Sequence, residues 1–366
     1  MASQHSWSAP VQLGPLSLKN RIAVAPMTRI SATEDGRATP EMVRYYQGFA
    51  EGGFGLIITE GVYPDLAFSQ GYLHQPGIGD DTQAEAWRPV AEAIHGGGAA
   101  ALMQLMHAGA LSQGNYWRQD SVAPSAVQPK GEQLGFYRGE GAYGMPREIT
   151  GQEIDAVVDA FAAAALRARK AGFDGVEIHG ANGYLLDQFL TDYANQREDR
   201  YGGSVENRVR LLVEAVQAVR AAVGPDFLVG IRISQGKVND YHHKWAGGQQ
   251  DAEIVFARLA EAGVDYIHTT EFDAQAPAFG QDNSDGDTLA GYAKRFGKLP
   301  VIANGQLGAP EAAQAILAGG TSDIVALGKS ALANRDWPRR VAEHGKLEEF
   351  DFGLLQPIAH IKESEL

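Results

Sequence analysis

One short stretch near the middle of the chain places three chemically useful side chains close together. The apolar run 175–178 predicts a buried strand, and His179, Asn182 and Tyr184 follow it within six residues. The loop thus carries an imidazole, an amide and a phenol, each of which can form hydrogen bonds. A single residue of this kind would be explained by strand capping or core filling. Three of them in one loop predict a reactive site.

The segments that must position this loop alternate between two hydrophobic periods, one typical of buried strands and one typical of amphipathic helices. Strand-like apolar runs occur at 22–27, 54–59, 100–105, 175–179, 227–233, 265–269, 300–303 and 323–327. Helical periodicity occurs between most of them, at Pro40–Glu51, Thr82–His95, Gln152–Ala171, Ser204–Val223, Asp251–Ala262 and Pro310–Ala318. Eight strands followed by helices are the count of a TIM barrel, whereas an open doubly wound sheet usually has fewer. We predict an α/β fold, with a single (β/α)8 TIM-barrel domain over residues 1–366.

Three further segments lie outside this alternation. Val11–Leu18 alternates apolar and polar residues around a Gly-Pro turn, which predicts an N-terminal hairpin that we expect to form a lid. Ala110–Ile149 follows the third strand and Gln235–Gln250 the fifth, so both should lie over the carboxyl face, where TIM-barrel active sites are found. Left-handed glycines are expected just beyond helix ends, at Gly172, Gly224, Gly263 and Gly319.

The composition argues against several classes of function. The 366 residues include 31 basic and 45 acidic ones, for a formal charge of −14, whereas nucleic-acid and anionic-membrane partners require a basic surface. The absence of cysteine excludes disulfides, a thiolate nucleophile and cysteine-ligated clusters. Met1–Pro10 lacks a signal-peptide pattern, and apolar stretches such as Ala99–Met103 are too short to span a bilayer. We expect a cytoplasmic protein that is a monomer or a homodimer.

Polar residues and glycines also occur at the ends of other predicted strands. A barrel would bring them together with the loop His179–Tyr184, which we call the central loop. They are Thr28, Gly61, Gln104, Arg232, Asn304, Gly305, Gly328 and Lys329. The loops after the last two strands commonly bind phosphate in this fold, and Lys329 adds a positive charge there. A phosphate-bearing ligand is one interpretation; tight turns at the glycines and a structural salt bridge at Arg232 are the alternative. Gln104 needs polar partners, either a heterocycle or neighbouring backbone.

Several segments carry the sequence patterns of a known family. They are Ala25–Arg29, Ile58–Gly61, Gln104–Leu105, His179–Tyr184, Asn195–Gly203 and Gly230–Ser234. The His-x-x-Asn-x-Tyr motif and the Arg-x-Asp-x-Tyr-Gly-Gly run, in this order and spacing, are a specific combination. Over nearly its whole length the chain resembles the old yellow enzyme family of flavin-dependent ene reductases. Thr28, where a second branch has cysteine, indicates the threonine-type branch.

The resemblance implies non-covalent FMN at the barrel mouth, with NADPH or NADH as the electron donor. The cofactor-binding residues that it implies are Pro26, Met27, Thr28, Gly61, Gln104, His179, Arg232, Asn304, Gly305, Gly328 and Lys329. It further implies that an activated alkene receives a hydride from flavin N5 at its β-carbon. His179 and Asn182 would hold the carbonyl oxygen of this substrate, and Tyr184 would protonate the α-carbon. No metal is implied.

The chain departs from the family pattern at two of these positions. Lys329 stands where relatives often have arginine, and Met106 stands near the substrate where some have an aromatic residue. Other conspicuous residues are expected to have structural or loop roles, namely Arg197, Asp199, Tyr201, His107, His242 and His243. Two other classes of protein fit these residues less well. A metal-dependent lyase or an aldolase would need clustered carboxylates and histidines or a Schiff-base lysine, and a non-enzymatic flavin carrier would not need the central loop.

Overall fold

Eight parallel strands close into a barrel in the computed structural model, which describes residues 6–280 and 285–366. In the order in which they pair around the barrel, the strands are β3 (Ile22–Val24), β4 (Leu56–Val62), β5 (Ala100–Leu105), β8 (Gly175–Asn182), β9 (Leu228–Lys237), β10 (Tyr266–Thr270), β11 (Val301–Asn304) and β12 (Ile324–Leu327), which pairs with β3. Two short pairs lie outside it, β1 (Val11–Leu13) with β2 (Leu16–Leu18) and β6 (Val122–Ala123) with β7 (Arg147–Glu148).

The connections between the strands carry the helices. These are α1 (Pro40–Glu51), α2 (Asp81–Gly96), α3 (Gly151–Lys170), α4 (Leu185–Leu190), α5 (Val205–Arg208), α6 (Arg210–Val223), α7 (Gln249–Ala262), α8 (Leu289–Gly297), α9 (Pro310–Ala318), α10 (Lys329–Ala333) and α11 (Trp337–Ala342). The barrel strands are buried along almost their whole length, as expected for parallel strands covered by helices. In the part of the chain that the structure describes, no helix is long and apolar enough to cross a membrane.

Local sequence explains where the longest helix begins. Thr150 precedes α3, and its hydroxyl accepts a hydrogen bond from the Glu153 amide, while the Glu153 carboxylate accepts one from the Thr150 amide. This capping box satisfies two amides that the first turn leaves without partners. The helix then buries one face, including Phe161 and Ala164, against its neighbours. The loop before it therefore ends at a defined point, above the barrel.

The hairpin formed by β1 and β2 lies at the end of the barrel opposite the strand carboxyl ends. Leu13 and Leu18 are buried in a cluster with Leu228 and Tyr266, which are the first residues of β9 and β10. Burying these leucines removes apolar surface from water and fills the amino-terminal end of the barrel. The open end is therefore the carboxyl end.

The structure corrects two details of the sequence predictions. Gly172, Gly224 and Gly263 have positive φ as expected, but Gly319 has a φ of −69° and the left-handed position is taken by Gly320 at +74°. Helix α8 was also missed, because its sequence contains two glycines, which favour helix poorly, within nine residues. Its apolar face is nevertheless buried.

Candidate active site

A cavity of about 850 Å³ opens at the carboxyl ends of the barrel strands. Every residue that the sequence assigned to the site lines this one cavity: Pro26, Met27, Thr28, Gly61, Gln104, His179, Asn182, Tyr184, Arg232, Asn304, Gly305, Gly328 and Lys329. Met106 also lines it. The convergence follows from the topology, because parallel strands bring their carboxyl ends to the same face of a barrel.

His179 is held as a neutral ring. It is 4% exposed, and burial, followed by the nearby positive charge of Arg232, lowers the pKa of its imidazole well below the ordinary value. Strand register places His179 beside Arg232, and Arg232 beside His268. The Nδ1 atom of His179 is buried and has no hydrogen-bond partner within the described residues. A neutral imidazole can donate one hydrogen bond to a ligand without carrying a charge.

Asn182 has an unusual backbone conformation, with a φ of +62°, and Gly183 follows at +88°. The Asn182 amide donates to the Ser234 hydroxyl at 2.8 Å, and its carbonyl accepts from the Val238 amide at 3.1 Å. The Gly183 amide donates to Asp187 Oδ2 at 2.6 Å. A left-handed asparagine costs about 1–2 kcal/mol relative to ordinary backbone, so neighbouring contacts must stabilise it. They turn the chain so that Asn182 lines the cavity.

Tyr184 lies against His179, with ring centroids 5.0 Å apart, and is 6% exposed. Its hydroxyl oxygen is 2.6 Å from the hydroxyl oxygen of Tyr72. Burial raises the pKa of Tyr184 to about 12, and the contact with Tyr72 works in the opposite direction. The phenol is therefore protonated at neutral pH and is available as an acid.

Arg232 points into the cavity from β9. Its Nη2 donates to Asn304 Oδ1 at 2.9 Å, and the Thr270 hydroxyl donates to the same oxygen at 2.8 Å. Its Nε is buried without a partner among the described residues. Burial lowers the pKa of the guanidinium to about 10, which leaves it charged at neutral pH. A buried cation with an unused donor indicates a site for an electron-rich or anionic ligand group.

A polar layer that the sequence analysis missed lies inside the barrel, around Glu177. This carboxylate accepts hydrogen bonds from Gln104 Nε2 at 2.8 Å, from the Tyr266 hydroxyl at 3.0 Å and from His268 Nδ1 at 2.8 Å. Burial opposes ionisation, but the proximity of His268 and Arg232 keeps the pKa of Glu177 below its ordinary value. The layer therefore orients the Gln104 amide. The sequence had left open whether the partner of this amide is a heterocycle or neighbouring backbone.

The loops after β11 and β12 form the other end of the cavity. Gly305 has a φ of +141°, and a Cβ atom there would come within 2.4 Å of the Glu271 carbonyl oxygen, so only glycine fits. Gly328 directly precedes α10, and Lys329 is exposed beside it. Backbone amides at glycines, together with an ammonium group, can hold a phosphate.

The rim of the cavity carries aromatic residues that the sequence analysis did not assign. Tyr241 from the segment after β9 and Phe272 from the segment after β10 line the cavity, yet they are 67% and 80% exposed. Tyr137 lines it from the long segment between β5 and α3, and its hydroxyl donates to the Thr28 carbonyl at 3.2 Å. Loop conformation brings these side chains to the mouth, and no strand pattern signals it.

The residues expected to be structural lie away from the cavity lining. Arg197 donates to the carbonyl oxygens of Pro124 and Ile149 and pairs with Asp199, so it ties its loop to β6 and to the start of α3. The Tyr201 hydroxyl donates to Glu214. His107 is buried in the loop after β5 and accepts from the Gly109 amide at 3.1 Å.

Comparisons with known proteins show the family of the chain. Residues 8–348 match the NADH:flavin oxidoreductase / NADH oxidase family. The chain is 34% identical over 351 residues to 12-oxophytodienoate reductase 2 of Arabidopsis thaliana, covering 93% of this chain and 90% of that protein. It is 34% identical over 338 residues to an NADH oxidase of Thermoanaerobacter brockii, covering 91% of this chain but only 50% of that longer protein.

A solved structure gives the same result for the fold. The old yellow enzyme homologue from Zymomonas mobilis superposes with a TM-score of 0.87 at 33% identity, covering 98% of each chain. The predicted TIM barrel is thereby confirmed. The chain belongs to the NADH:flavin oxidoreductase / NADH oxidase family and is an old yellow enzyme homologue.

Proposed function

We propose that the protein uses NADPH or NADH, through FMN, to reduce the C=C bond of α,β-unsaturated carbonyl compounds or similarly activated alkenes. The observation that carries the proposal is the grouping of two neutral hydrogen-bond donors, His179 and Asn182, with a protonated phenol, Tyr184, in one cavity. The similarity to a 12-oxophytodienoate reductase, named for a substrate with both an oxo group and alkenes, supports an enone class of substrate.

The cavity fits FMN in size and in chemistry. Its volume of about 850 Å³ is at the upper end for small-molecule sites, which leaves space for a substrate beside the cofactor. Arg232 Nε and His179 Nδ1 are buried donor or acceptor atoms that lack partners within the described residues. The glycine-lined end with Lys329 suits a phosphate, and the amide of Gln104 suits a heterocycle edge.

We assign the cofactor contacts according to these properties. Pro26, Met27, Thr28 and Gly61 would contact the ring system, and Thr28 would place the chain in the threonine-type branch. Gln104 and Arg232 would bind the polar edge of the ring, where the positive charge stabilises electron density. Asn304, Gly305, Gly328 and Lys329 would hold the phosphate end. We treat residues 1–366 as one FMN-binding unit.

In the proposed reaction, the hydride for the β-carbon of the alkene would come from FMN held in this cavity. His179 and Asn182 donate hydrogen bonds to the carbonyl oxygen, so that negative charge can develop there as the alkene is attacked. Because the pKa of His179 is low, its imidazole is uncharged when it donates this hydrogen bond, so substrate binding does not require a protonated imidazole. Tyr184 transfers its proton to the α-carbon, which completes the saturated product.

The proposal is tested by anaerobic stopped-flow absorbance on the purified flavoprotein. The flavin is first reduced with NADPH and then mixed with 2-cyclohexenone. We expect the flavin absorbance to return at a rate that depends on enone concentration, with cyclohexanone as the product. Absence of flavin from the purified protein, or no response to any activated alkene, would contradict the proposal.

A further inference from the structure

A buried phenol stands directly behind Tyr184. Tyr72 lies in the segment between β4 and α2, is 1% exposed and packs its ring against Tyr137 with centroids 4.7 Å apart. Its hydroxyl oxygen is 2.6 Å from that of Tyr184. The surroundings are apolar, because both tyrosines belong to a cluster with Ile30 and Met106. Tyr72 itself does not appear in the cavity lining.

The direction of this hydrogen bond follows from what each hydroxyl can reach. Within the described residues, the Tyr72 hydroxyl has no other acceptor than Tyr184. If Tyr184 were the donor, the Tyr72 hydrogen would be buried without a partner, which is unfavourable. If Tyr72 is the donor, its hydrogen is satisfied, and the Tyr184 hydrogen is free to point into the cavity that Tyr184 lines.

We propose that Tyr72 is a positioning residue that donates its hydrogen bond to Tyr184, so directing the Tyr184 proton toward the substrate and stabilising the phenolate that this proton leaves. The inference rests on the proposed function and extends it to a residue outside the cavity. The contact between the two oxygens and the burial of Tyr72 carry it.

The chemical balance of the step is simple. The O–H bond of Tyr184 breaks and its electron pair stays on the Tyr184 oxygen. The C=C π bond breaks as hydride adds to the β-carbon, and its electron pair forms the new C–H bond at the α-carbon. The hydride on the β-carbon derives from NADPH or NADH by way of FMN, so no further reductant is needed. Tyr72 keeps its own proton, since nothing behind it in the described residues can replace that proton. Tyr184 regains a proton from solvent through the open cavity.

Other titratable groups also face Tyr184 and affect its ionisation. Arg232 on β9 favours the phenolate by its positive charge, and His179 on β8 is neutral. Tyr241, at the rim of the cavity, raises the pKa of Tyr184 and so opposes its ionisation. Burial raises the pKa of the Tyr137 and Tyr143 phenols, and the proximity of Tyr184 raises it further. Among these groups only Tyr72 is hydrogen-bonded to the Tyr184 hydroxyl.

The test is Tyr72→Phe, which removes one oxygen atom and keeps the ring packing. A hydrogen bond to a charged group contributes about 1.5–3 kcal/mol, so enone-dependent flavin reoxidation should slow by about ten- to a hundredfold at saturating enone. The solvent deuterium isotope effect on this step should increase, because proton transfer becomes more rate-limiting. Reduction by NADPH and reoxidation by ferricyanide, which needs no proton on carbon, should be unchanged.

Tyr143→Phe is the matched control, because Tyr143 is a buried tyrosine of the same cluster that does not line the cavity. It should leave all four measurements unchanged. In a Tyr184→Phe background, Tyr72→Phe should have no further effect, as required when one residue acts through the other.

The outcomes separate the two proposals. If Tyr184→Phe slows the enone reaction but Tyr72→Phe does not, the positioning role is wrong and the proposed function stands. If the wild-type protein does not react with enones, the proposed function itself is wrong. If Tyr72→Phe slows the ferricyanide reaction equally, its effect is general damage and the positioning role is contradicted.

Discussion

Lys237 Nζ lies 2.9 Å from Asp187 Oδ2 and 3.0 Å from Oδ1, and the two side chains are 2% and 0% exposed. The same carboxylate accepts the Gly183 amide, and strand register pairs Lys237 with Asn182. This buried ion pair therefore supports the left-handed turn that brings Asn182 to the cavity. It joins the first turn of α4 to the end of β9 beside the site.

Replacing Lys237 should strongly destabilise the protein. Lys237→Met leaves the Asp187 charge buried without its cation, and breaking a buried pair in this way costs about 3–5 kcal/mol. Urea unfolding of the flavoprotein measures the change. Lys130→Met is the control, because the Lys130–Asp240 pair, at 2.7 Å, has a lysine side chain that is 55% exposed and should contribute less than about 1 kcal/mol. Equal losses in the two variants would contradict the structural role of the buried pair.

The buried carboxyl of Glu60 should make the free energy of unfolding depend on pH. It is fully buried beside Arg29, and burial raises the pKa of its carboxyl from 4.5 to about 7. The folded state therefore binds a proton that the unfolded state releases between these values. This contribution to stability is fully present below pH 4.5 and is lost as pH rises toward 7, by about 3 kcal/mol in total.

The Glu60→Gln variant isolates this contribution, because glutamine does not titrate. The difference in unfolding free energy between wild type and variant should change by about 3 kcal/mol between pH 4.5 and 7.5, in favour of wild type at low pH. Urea titrations at several pH values provide the measurement. A difference that is constant with pH would show that the Glu60 pKa is not raised in the folded protein.

Lys329 should contribute to FMN affinity through its charge. It is exposed beside the glycine-lined end of the cavity, so Lys329→Ala should weaken FMN binding by about two- to fivefold, because an exposed ion pair contributes less than about 1 kcal/mol. Fluorescence titration of the apoprotein with FMN gives the dissociation constants. The loss should shrink at high salt, because salt screens exposed charges.

The control for this measurement is Lys170→Ala, since Lys170 is an exposed lysine on α3 that is absent from the cavity lining. It should leave FMN binding unchanged. If Lys329→Ala binds FMN as tightly as the wild type does, the phosphate lies elsewhere.

The strand-end residues could be located from the sequence because a barrel imposes their convergence. The positions of His179, Gln104 and Arg232 could be predicted because each lies in or directly after an apolar strand pattern. The barrel then brings the ends of these strands to one face. The role of Asn182 could be expected from the motif, but not its positive φ. That conformation depends on contacts with Ser234 and Asp187.

Partners that are distant in the chain could not be predicted. Tyr72 and Tyr184 are 112 residues apart, and Asp187 and Lys237 are 50 apart, with no shared motif to connect them. Glu177 lies within a strand-like run, where a single sequence gives no indication of which side chains meet inside the barrel. These contacts depend on register and packing, which a hydrophobic pattern does not determine.

We propose above that Tyr184 delivers the proton that completes alkene reduction. The most direct measurement compares the two half-reactions of wild type and Tyr184→Phe by anaerobic stopped-flow absorbance, with NADPH as donor and 2-cyclohexenone as acceptor. General acid catalysis is worth about 10²–10⁴ in rate, so we predict a loss of this size in enone-dependent reoxidation and no change in reduction by NADPH. Reoxidation by the enone at the wild-type rate in Tyr184→Phe would contradict the account.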